Sequence, residues 1–324
     1  MKTIKIGLLG MGNIGTGTYK TLELNRQEIE STLGTRVEIV KILERDVDRD
    51  RGITVPMEKF TQDPDEILND PEIDIVIELL GGIEPATTFM LTAMKNGKHV
   101  VTANKAALAA NYHQLMDTAG DNNIIFKFEA SVGGGIPILG TLTGPLRANK
   151  FQEVMGILNG TTNYILHMMT KEGMDYETAL KDAQALGFAE ADPTADVEGI
   201  DAANKLTILM ALMFDKYVAP SDIPTTGITH ITKEKIDEAR SNKCKIKLIA
   251  HAKREENGEI SYEVRPMYIS ETHPLANINK EFNAVFVKGN AVDDLMFYGK
   301  GAGPMPTGSA VMGDVIEISK TILK

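Results

Sequence analysis

The chain has 324 residues, which is long for one hydrophobic core and predicts two domains. Its formal net charge of -11 argues against nucleic acid or an anionic membrane surface as the main partner. The single cysteine, Cys244, excludes an internal disulfide and a multi-cysteine zinc site and fits a reducing cytoplasm. The six histidines lack the spacing of a metal site, and no signal peptide or transmembrane helix is predicted.

The N-terminus predicts a strand, a glycine turn and a helix. The apolar run Ile4–Leu9 is followed by GMGNIG and by a helix-compatible segment from Thr16. In such a turn the first glycine permits the bend, the second lets a pyrophosphate approach the backbone, and the third lets the helix pack on the strand. The alternative is a tight turn without a ligand. We assign cofactor binding to the motif residues Gly10, Gly12, Asn13, Ile14 and Gly15.

A second strand is predicted at Val37–Leu43, and it ends at Glu44. An acid at this place typically binds the adenosine ribose hydroxyls. Arg45 follows, and with Arg49 or Arg51 it offers charge for a 2'-phosphate, so the choice between NAD and NADP stays open. The spacing from the glycines exceeds the usual ~20 residues, which predicts a longer first helix or an insertion.

Two more strands are predicted at residues 73–80 and 98–102, with a helix over 85–96 between them. Ligands of open parallel sheets bind beyond the carboxyl ends of the strands, so Lys105 is placed at the cleft as a candidate reagent and cofactor contact. The alternative is a lysine at the start of a helix over 106–119, which is the less favourable end for a positive charge.

A strand over 124–129 leads into SVGGGIP, residues 131–137. Three glycines expose main-chain groups, which bind a cation through carbonyls or form a hinge. The alternating parallel units stop near 136–150. We therefore expect a nucleotide-binding domain at 1–140 and a substrate and dimerisation domain at 141–299, with 300–324 packing back onto the first.

The second domain is predicted to be α+β. A strand at 154–158 is followed by NGTTN and helices at 162–169 and 176–186. Later strands at 244–254, 259–268, 285–288 and 295–298, with Asn257-Gly258 as a hairpin signal, indicate a mostly antiparallel sheet. The fold class is thus α/β, a Rossmann-type doubly wound parallel sheet plus this second domain. The small residues around Gly303 permit close approach of a last helix to the sheet or the cofactor.

The stretch GFAEADPTADVEGIDAANK, residues 187–205, carries five carboxylates and a lysine. Asp192 before Pro193 predicts a capped helix start, with Asp196 as a second choice. The helical pattern from Ile200 places Asp201 and Lys205 one above the other. Taken alone, the pattern is interpreted as an exposed ion pair that contributes about 0.3–0.5 kcal/mol to stability. Beside a dinucleotide fold and NGTTN, the same residues form the wall of a substrate pocket.

Five motifs in this order, GMGNIG, VVTANKAALA, EASVGGGIP, GILNGTTNYIL and GFAEADPTADVEGIDAANK, closely resemble the homoserine dehydrogenase family over nearly the whole chain. The resemblance implies reversible reduction of L-aspartate 4-semialdehyde to L-homoserine with NAD or NADP, in threonine, methionine and isoleucine biosynthesis. It also implies a homodimer. The match is to a short form without an aspartate kinase or a C-terminal ACT domain, so we expect either no threonine feedback or a shortened chain.

Residue by residue, the resemblance implies that Lys205 is the catalytic acid/base, with Asp201 as its partner and Lys105 in the cleft. A lysine can supply the proton that the developing alkoxide of a reduced aldehyde needs. Substrate contacts are implied for residues of the last two motifs, namely Gly160, Thr161, Glu190 and Asp196. A sodium-type cation site on main-chain carbonyls is implied for Glu129, Val132, Gly134 and Ile136. Ala195 departs from relatives that carry a second adjacent aspartate.

Two other functions are compatible with a nucleotide-binding fold. A semialdehyde dehydrogenase would oxidise its substrate through a thiohemiacetal, which requires a placed cysteine, and Cys244 is far in sequence from the glycine loops. A nucleotide-sensing repressor is the alternative outside enzymes. The net charge and the lack of a basic helix argue against it.

Overall fold

The computed structural model describes residues 3–324. They divide into two compact units, one containing the chain up to Gly135 together with Ala302–Lys324, and the other containing Ile136–Gly301. In the described range, no helix combines the length and the apolar character needed to cross a membrane.

The secondary structure comprises eleven strands, twelve α-helices and four short 3₁₀ turns in residues 3–324. The strands are β1 Ile4–Leu9, β2 Val37–Leu43, β3 Phe60–Thr61, β4 Ile75–Glu78, β5 His99–Thr102, β6 Phe126–Lys127, β7 Phe151–Ile157, β8 Cys244–Arg254, β9 Ile260–Ser270, β10 Phe282–Gly289 and β11 Asp293–Lys300. The helices are α1 Asn13–Leu33, α2 Asp65–Leu68, α3 Ala86–Lys95, α4 Lys105–Ala110, α5 Tyr112–Asp121, α6 Leu139–Thr143, α7 Gly160–Glu172, α8 Tyr176–Ala185, α9 Thr194–Val197, α10 Ile200–Phe214, α11 Lys233–Ser241 and α12 Pro304–Ile322. The 3₁₀ turns are Met57–Lys59, Glu129–Ser131, Pro220–Asp222 and Pro274–Asn277.

The first unit is built on a six-stranded parallel sheet in the order β3-β2-β1-β4-β5-β6. This is the order of a dinucleotide-binding Rossmann fold, which confirms the predicted doubly wound sheet. Helices on both faces bury the central strands, so the residues of β1 and β4 form a nearly continuous apolar run. The C-terminal helix α12 buries Val311, Val315 and Ile318 in the same core.

Two predicted elements of this unit differ from the structure. The helix expected over 106–119 is two helices, because Asn111 has non-helical dihedral angles of φ -126° and ψ 30°. The strand expected over 124–129 keeps only Phe126–Lys127. The following residues turn into a 3₁₀ helix, where the Glu129 amide donates to the Asp314 carboxylate at 2.8 Å instead of to a neighbouring strand.

The second unit contains a five-stranded sheet in the order β11-β10-β7-β8-β9, with every neighbour antiparallel. The predicted hairpin is present, since Arg254 pairs with Ile260 and Gly258 turns the chain at φ +87°. The strand β7 is the central strand of this sheet, and the chain continues from it directly into α7. That order places the NGTTN residues at the carboxyl end of a central strand.

The helix predicted to start at Asp192 is present but short, and its N-cap is Pro193, one residue later. Asp192 accepts a hydrogen bond from the Thr194 amide at 3.1 Å, but this turn starts only the four-residue helix α9. Gly199, at φ +83°, is not helical and separates α9 from the long helix α10, which begins at the next residue. Ile200 is 47% exposed because it lies in the first turn after Gly199. Leu206, Leu209 and Met213 of the same helix are buried.

Candidate active site

The glycine turn after β1 has the geometry that a dinucleotide requires. A Cβ added to Gly15 would lie 2.2 Å from the Gly10 carbonyl oxygen, so this glycine permits the close contact of helix and turn. A Cβ added to Gly12 would meet nothing within 4 Å, which means that the backbone here faces open space. The first amides of α1, from Asn13 and Ile14, have no partner within the helix and carry its positive end. The residues present therefore fit a pyrophosphate.

Glu44 lies beyond the end of β2 and is fixed by the main chain. Burial opposes its ionisation, but hydrogen bonds from the amides of Asp46, Met11 and Arg45, together with the charge of Arg51, hold the pKa of Glu44 below its ordinary value. The side chain is thus an acceptor that is already ionised and oriented, as a ribose-binding acid needs to be.

The three arginines after β2 differ in their availability. Arg51 is 5% exposed and donates to main-chain carbonyls of the loop, including that of Met11 at 2.9 Å, and pairs with Glu44 at 3.3 Å. Its guanidinium is therefore engaged in holding the loop, contrary to the expectation that it helps to bind a 2'-phosphate. Arg45 and Arg49 are exposed.

Lys105 is positioned by a buried network that sequence reasoning missed. Glu78, at the end of β4, is fully buried, and it accepts from the Thr102 hydroxyl at 2.6 Å and the Asn104 amide at 3.4 Å. Asn104 caps α4 by accepting from the Ala107 amide at 3.1 Å, and Lys105 is the first residue of that helix. Burial raises the pKa of Glu78, an effect that the Thr102, Leu80 and Asn104 hydrogen bonds oppose. A buried acid at the carboxyl end of a central strand is the signal that could have found this network.

In the second unit, Lys205 and Asp201 form a buried pair. The Lys205 Nζ donates to Asp201 Oδ2 at 2.6 Å and to the Leu158 carbonyl at 2.6 Å. The two side chains are 9% and 7% exposed, so the interpretation as a surface ion pair is wrong. The reason is that α10 is mostly apolar and packs against the sheet, so that most of its residues are buried. The Lys205 side chain therefore points inward and reaches the Leu158 carbonyl just after β7. A buried pair of this kind carries a desolvation cost, which favours a functional role.

Asn159, the residue that follows β7, connects two acids. Its Nδ2 donates to Asp196 Oδ1 at 2.7 Å and to Asp201 Oδ2 at 3.0 Å, while its Oδ1 caps α7 by accepting from the Thr162 amide. The Thr161 hydroxyl lies 3.0 Å from Asp196 Oδ2 and 2.6 Å from the Phe188 carbonyl oxygen, and its single proton is shared between these two acceptors. Burial, followed by the charge of Asp201, raises the pKa of Asp196. We call Asn159, Thr161, Asp196, Asp201 and Lys205 the acid-lysine cluster.

Two residues expected to contact the substrate, Glu190 and Gly160, take no part in the hydrogen bonds described for the acid-lysine cluster. Glu190 is exposed, and its main-chain carbonyl accepts a hydrogen bond from the Gln184 side chain at 3.1 Å. Gly160 opens α7, where an added Cβ would lie 2.7 Å from the Glu281 carbonyl oxygen. Close packing is therefore sufficient reason for glycine at this position.

The loop expected to bind a cation is tightly turned, with φ of +75° at Gly133 and +57° at Gly134. The Glu129 and Ile136 carbonyls each accept a main-chain hydrogen bond, at 3.4 and 2.9 Å. Val132 is buried, and the boundary between the two units falls just before Ile136. Within residues 3–324, no group of three or more His, Cys, Asp or Glu side chains could hold a metal ion.

The remaining candidates are Cys244 and Gly303. Cys244 is partly exposed at the start of β8, and its Sγ lies 3.4 Å from the Asn242 carbonyl oxygen. That contact provides no base to activate a thiol nucleophile. Gly303 precedes α12 at φ +116°, a conformation that favours glycine whatever binds there.

A Rossmann-type unit with an open glycine turn, together with a second unit that holds a buried lysine against a carboxylate, defines an NAD(P)-dependent oxidoreductase. Two family models match the chain, "Homoserine dehydrogenase, NAD binding domain" over residues 10–129 and "Homoserine dehydrogenase" over residues 137–316. The chain belongs to the homoserine dehydrogenase family.

Similar proteins cover the chain almost completely. A homoserine dehydrogenase of Bacillus subtilis is 43% identical over 99% of this chain and 74% of that protein. One from Synechocystis is 43% identical over 98% of this chain and 73% of that protein. The crystal structure of a homoserine dehydrogenase from Thiobacillus denitrificans superimposes with a TM-score of 0.95 at 42% identity, over 99% of this chain and 74% of that one.

Proposed function

We propose that this enzyme interconverts L-homoserine and L-aspartate 4-semialdehyde, with Lys205 as the acid/base, in the branch of metabolism that leads to threonine, methionine and isoleucine. The observation that carries the proposal is the acid-lysine cluster, in which a buried Lys205 is held by Asp201 and joined through Asn159 to Asp196. Such an arrangement fits an amino-acid substrate whose oxygen gains or loses a proton.

The nicotinamide dinucleotide, when bound, supplies the hydride for reduction of the aldehyde or takes it up from the alcohol. We assign its pyrophosphate to the Gly10–Gly15 turn and the start of α1, and its ribose to Glu44. Gly12 supports this assignment because its backbone faces open space. Gly303 and Lys105 are proposed as further cofactor contacts.

For the substrate, we assign the ammonium group to Asp196, with Glu190 at the exposed edge, and the carboxylate to Thr161 and main-chain amides near Gly160. Asp196 suits this role because Asn159 and Thr161 orient its two oxygens. Burial, followed by repulsion from Asp201, raises the pKa of Asp196 in the free protein, and a bound ammonium would offset the repulsion.

Proton transfer is assigned to the Lys205 Nζ. In the reducing direction it gives a proton to the substrate oxygen, and in the oxidising direction the neutral amine takes that proton back. Asp201 keeps the amine directed, and the Leu158 carbonyl accepts a second hydrogen bond from it. Lys105 is the second candidate for the proton donor because Glu78 and Asn104 fix the start of its helix. Comparing the pH-rate profiles of Lys105→Ala and Lys205→Ala separates the two assignments.

The cofactor is proposed to be NADP or NAD, with Arg45 as the contact that favours NADP. Arg45 is exposed beside the ribose-binding Glu44, whereas Arg51 is engaged by carbonyls. A sodium-type cation is proposed for the carbonyls of Glu129, Val132, Gly134 and Ile136, on the basis of the family resemblance and the tight turn at Gly133 and Gly134. A stimulation of activity by Na⁺ over an equal concentration of tetramethylammonium tests the cation.

We propose that the enzyme is a cytoplasmic homodimer that pairs through the sheet of the second unit. Met296 and Tyr298 support this, since they are 39% and 54% exposed on the edge strand β11. Light scattering of the wild type and of Tyr298→Glu tests it, and a monomeric wild type contradicts it.

The central experiment is a spectrophotometric assay of L-homoserine oxidation with NAD and with NADP. We expect an increase of absorbance at the nicotinamide band with at least one of them, and none with L-serine as substrate. No change with either nucleotide would refute the proposed reaction. If Cys244→Ser alone removed the activity, the semialdehyde dehydrogenase mechanism would replace it.

A further inference from the structure

The second unit contains a cavity of about 270 Å³ that the proposed reaction does not use. Its lining consists of three lysines, one histidine and two neutral polar residues, namely Lys171, Lys245, Lys247, His167, Thr170 and Asn279. None of these six side chains is acidic. In a protein with a formal net charge of -11, a cavity lined by cations on two different elements needs an explanation. We call it the basic pocket.

Lys247 is the unusual member of the basic pocket. Its side chain is almost fully buried, and the Nζ donates to Asn163 Oδ1 at 2.9 Å and to the Ile278 carbonyl, both of which are neutral acceptors. Burial, followed by the positive charge of Lys245, lowers the pKa of Lys247 to about 7. A buried ammonium is normally paired with a carboxylate, so this one is stabilised by less than its desolvation requires.

The charges around Lys247 are mostly of the same sign. Burial and the charges of Lys247, Lys171 and Lys280 lower the pKa of His167, which the hydrogen bond with Asn279 opposes. Lys245 donates to the Asn277 side chain at 3.3 Å. Glu172 pairs with Lys171 at 3.1 Å at the exposed rim. From α11, Arg240 donates to the Thr170 carbonyl at 2.6 Å, and Glu238 accepts from the Tyr268 hydroxyl at 3.2 Å.

Stabilisation of a helix end explains only part of this arrangement. His167 and Lys171 lie in the last turns of α7, where the helix dipole favours cations. Lys245 and Lys247 come from β8, so this effect does not account for them. The pocket is also separate from the acid-lysine cluster, because Thr161 and Lys171 stand at opposite ends of α7, about 15 Å apart along its axis.

We propose that the basic pocket binds a small phosphate-type dianion, either inorganic phosphate or the phosphate group of a small monoester. Three ammonium groups that line one cavity suit an oxyanion with several oxygens, and lysine binds phosphate as a point charge. The volume holds a phosphate with waters or a small monoester, but it is below the range typical of nucleotide-sized ligands. A bound dianion supplies the negative charge that Lys247 lacks.

The test is calorimetric titration of inorganic phosphate into the enzyme saturated with its nicotinamide nucleotide, so that the dinucleotide site is already filled. We expect one phosphate per chain with a Kd at or below about 1 mM. Lys245→Ala and Lys171→Ala should each weaken binding about tenfold, because each removes a charge-assisted hydrogen bond. Lys253→Ala, an exposed lysine on the same strand, and Lys181→Ala on α8 are the matched controls and should bind phosphate like the wild type.

Two further measurements extend the test. One distinguishes free phosphate from a phosphate monoester, and the other uses a pH dependence that a misfolded variant would not reproduce. Glycerol 3-phosphate that binds more tightly than phosphate identifies a monoester as the ligand, and weaker binding identifies free phosphate. Sulfate, whose charge is constant near neutral pH, should bind less tightly as pH rises through about 7 in the wild type, and Lys247→Met should reduce this change. His167, whose pKa burial and neighbouring lysines lower, loses its charge at lower pH. Absence of stoichiometric phosphate binding, an equal loss in the control variants, or binding of citrate but not phosphate would each overturn the proposal.

Discussion

The Lys205 Nζ lies 2.6 Å from Asp201 Oδ2, one turn away on α10, and both side chains are more than nine-tenths buried. Exposed pairs at this spacing contribute only about 0.3–0.5 kcal/mol. Replacing a buried pair by apolar residues is often neutral or stabilising, so stability alone does not explain the position of this lysine. Its contact with Asp201, which Asn159 joins to Asp196, agrees with the proposed proton transfer.

Lys205→Met should lower kcat and kcat/KM together by about 10² or more, because the variant loses the proton donor while keeping a side chain of similar length. Steady-state kinetics measure this, and fluorescence titration should show unchanged nucleotide binding. Lys181→Met, an exposed lysine of α8, is the control and should retain full activity. Near-normal turnover of Lys205→Met would remove Lys205 from the mechanism and leave Lys105 as the candidate.

Asn159→Ser should separate helix capping from the bridging of the two acids. Serine keeps an oxygen that can cap α7 but lacks the amide that donates to Asp196 and Asp201. We expect a loss of about 3–6 kcal/mol of stability, from two hydrogen bonds to charged groups, and at least a tenfold fall of kcat/KM for homoserine. Asp175→Ser, a cap-to-cap change on α8, should alter stability little. Equal effects of the two changes in thermal denaturation and kinetics would contradict the bridging role.

Gly12→Ala should weaken nucleotide binding without changing the stability of the fold. The added methyl group meets no protein atom within 4 Å, and φ is an ordinary -71°. It does occupy the space through which a pyrophosphate approaches the backbone, so we expect the Kd for the nucleotide to rise at least tenfold. Gly120→Ala, which is equally open on α5, is the control and should bind normally. A normal Kd for Gly12→Ala would mean that the pyrophosphate binds elsewhere.

Arg45→Ala should change cofactor preference. If Arg45 meets the 2'-phosphate, kcat/KM for NADPH falls about tenfold or more, while that for NADH stays the same, because only the charge-assisted bond is lost. Arg49→Ala, another exposed arginine of the same loop, tests whether the effect is specific. Parallel losses with both nucleotides would assign Arg45 to folding of the loop and not to selectivity.

The buried Lys247 should make stability depend on pH. Its pKa is about 7 in the folded protein and about 10.5 when unfolded, so between these values the unfolded chain binds more protons and stability rises with pH. One proton corresponds to a slope of about 1.4 kcal/mol per pH unit at most. Denaturant titrations across this range should show a shallower rise for Lys247→Met. An identical slope in both proteins would contradict the low pKa.

The Rossmann-type unit was predictable because its signals are local. The alternation of buried strands and helices, the glycines of the first turn and the end of β2 at Glu44 all follow from residues near one another in sequence. The family of the protein was also recognisable from its motifs. The boundaries of β6 and of the helices α4 and α5 were not, because contacts with Asp314 and the conformation of Asn111 decided them.

The sequence by itself determined that a dinucleotide-binding α/β unit precedes an α+β unit, and that Asp201 and Lys205 share a helix face. Tertiary structure decided that this pair is buried, that Asn159 bridges it to Asp196, and that Lys247 lies in a basic pocket. Asn159 and Asp201 are 42 residues apart, and Lys247 and Asn163 are 84 apart. Periodicity reports which side of an element is apolar, whereas the partner that meets a polar side chain is fixed only when distant elements pack together.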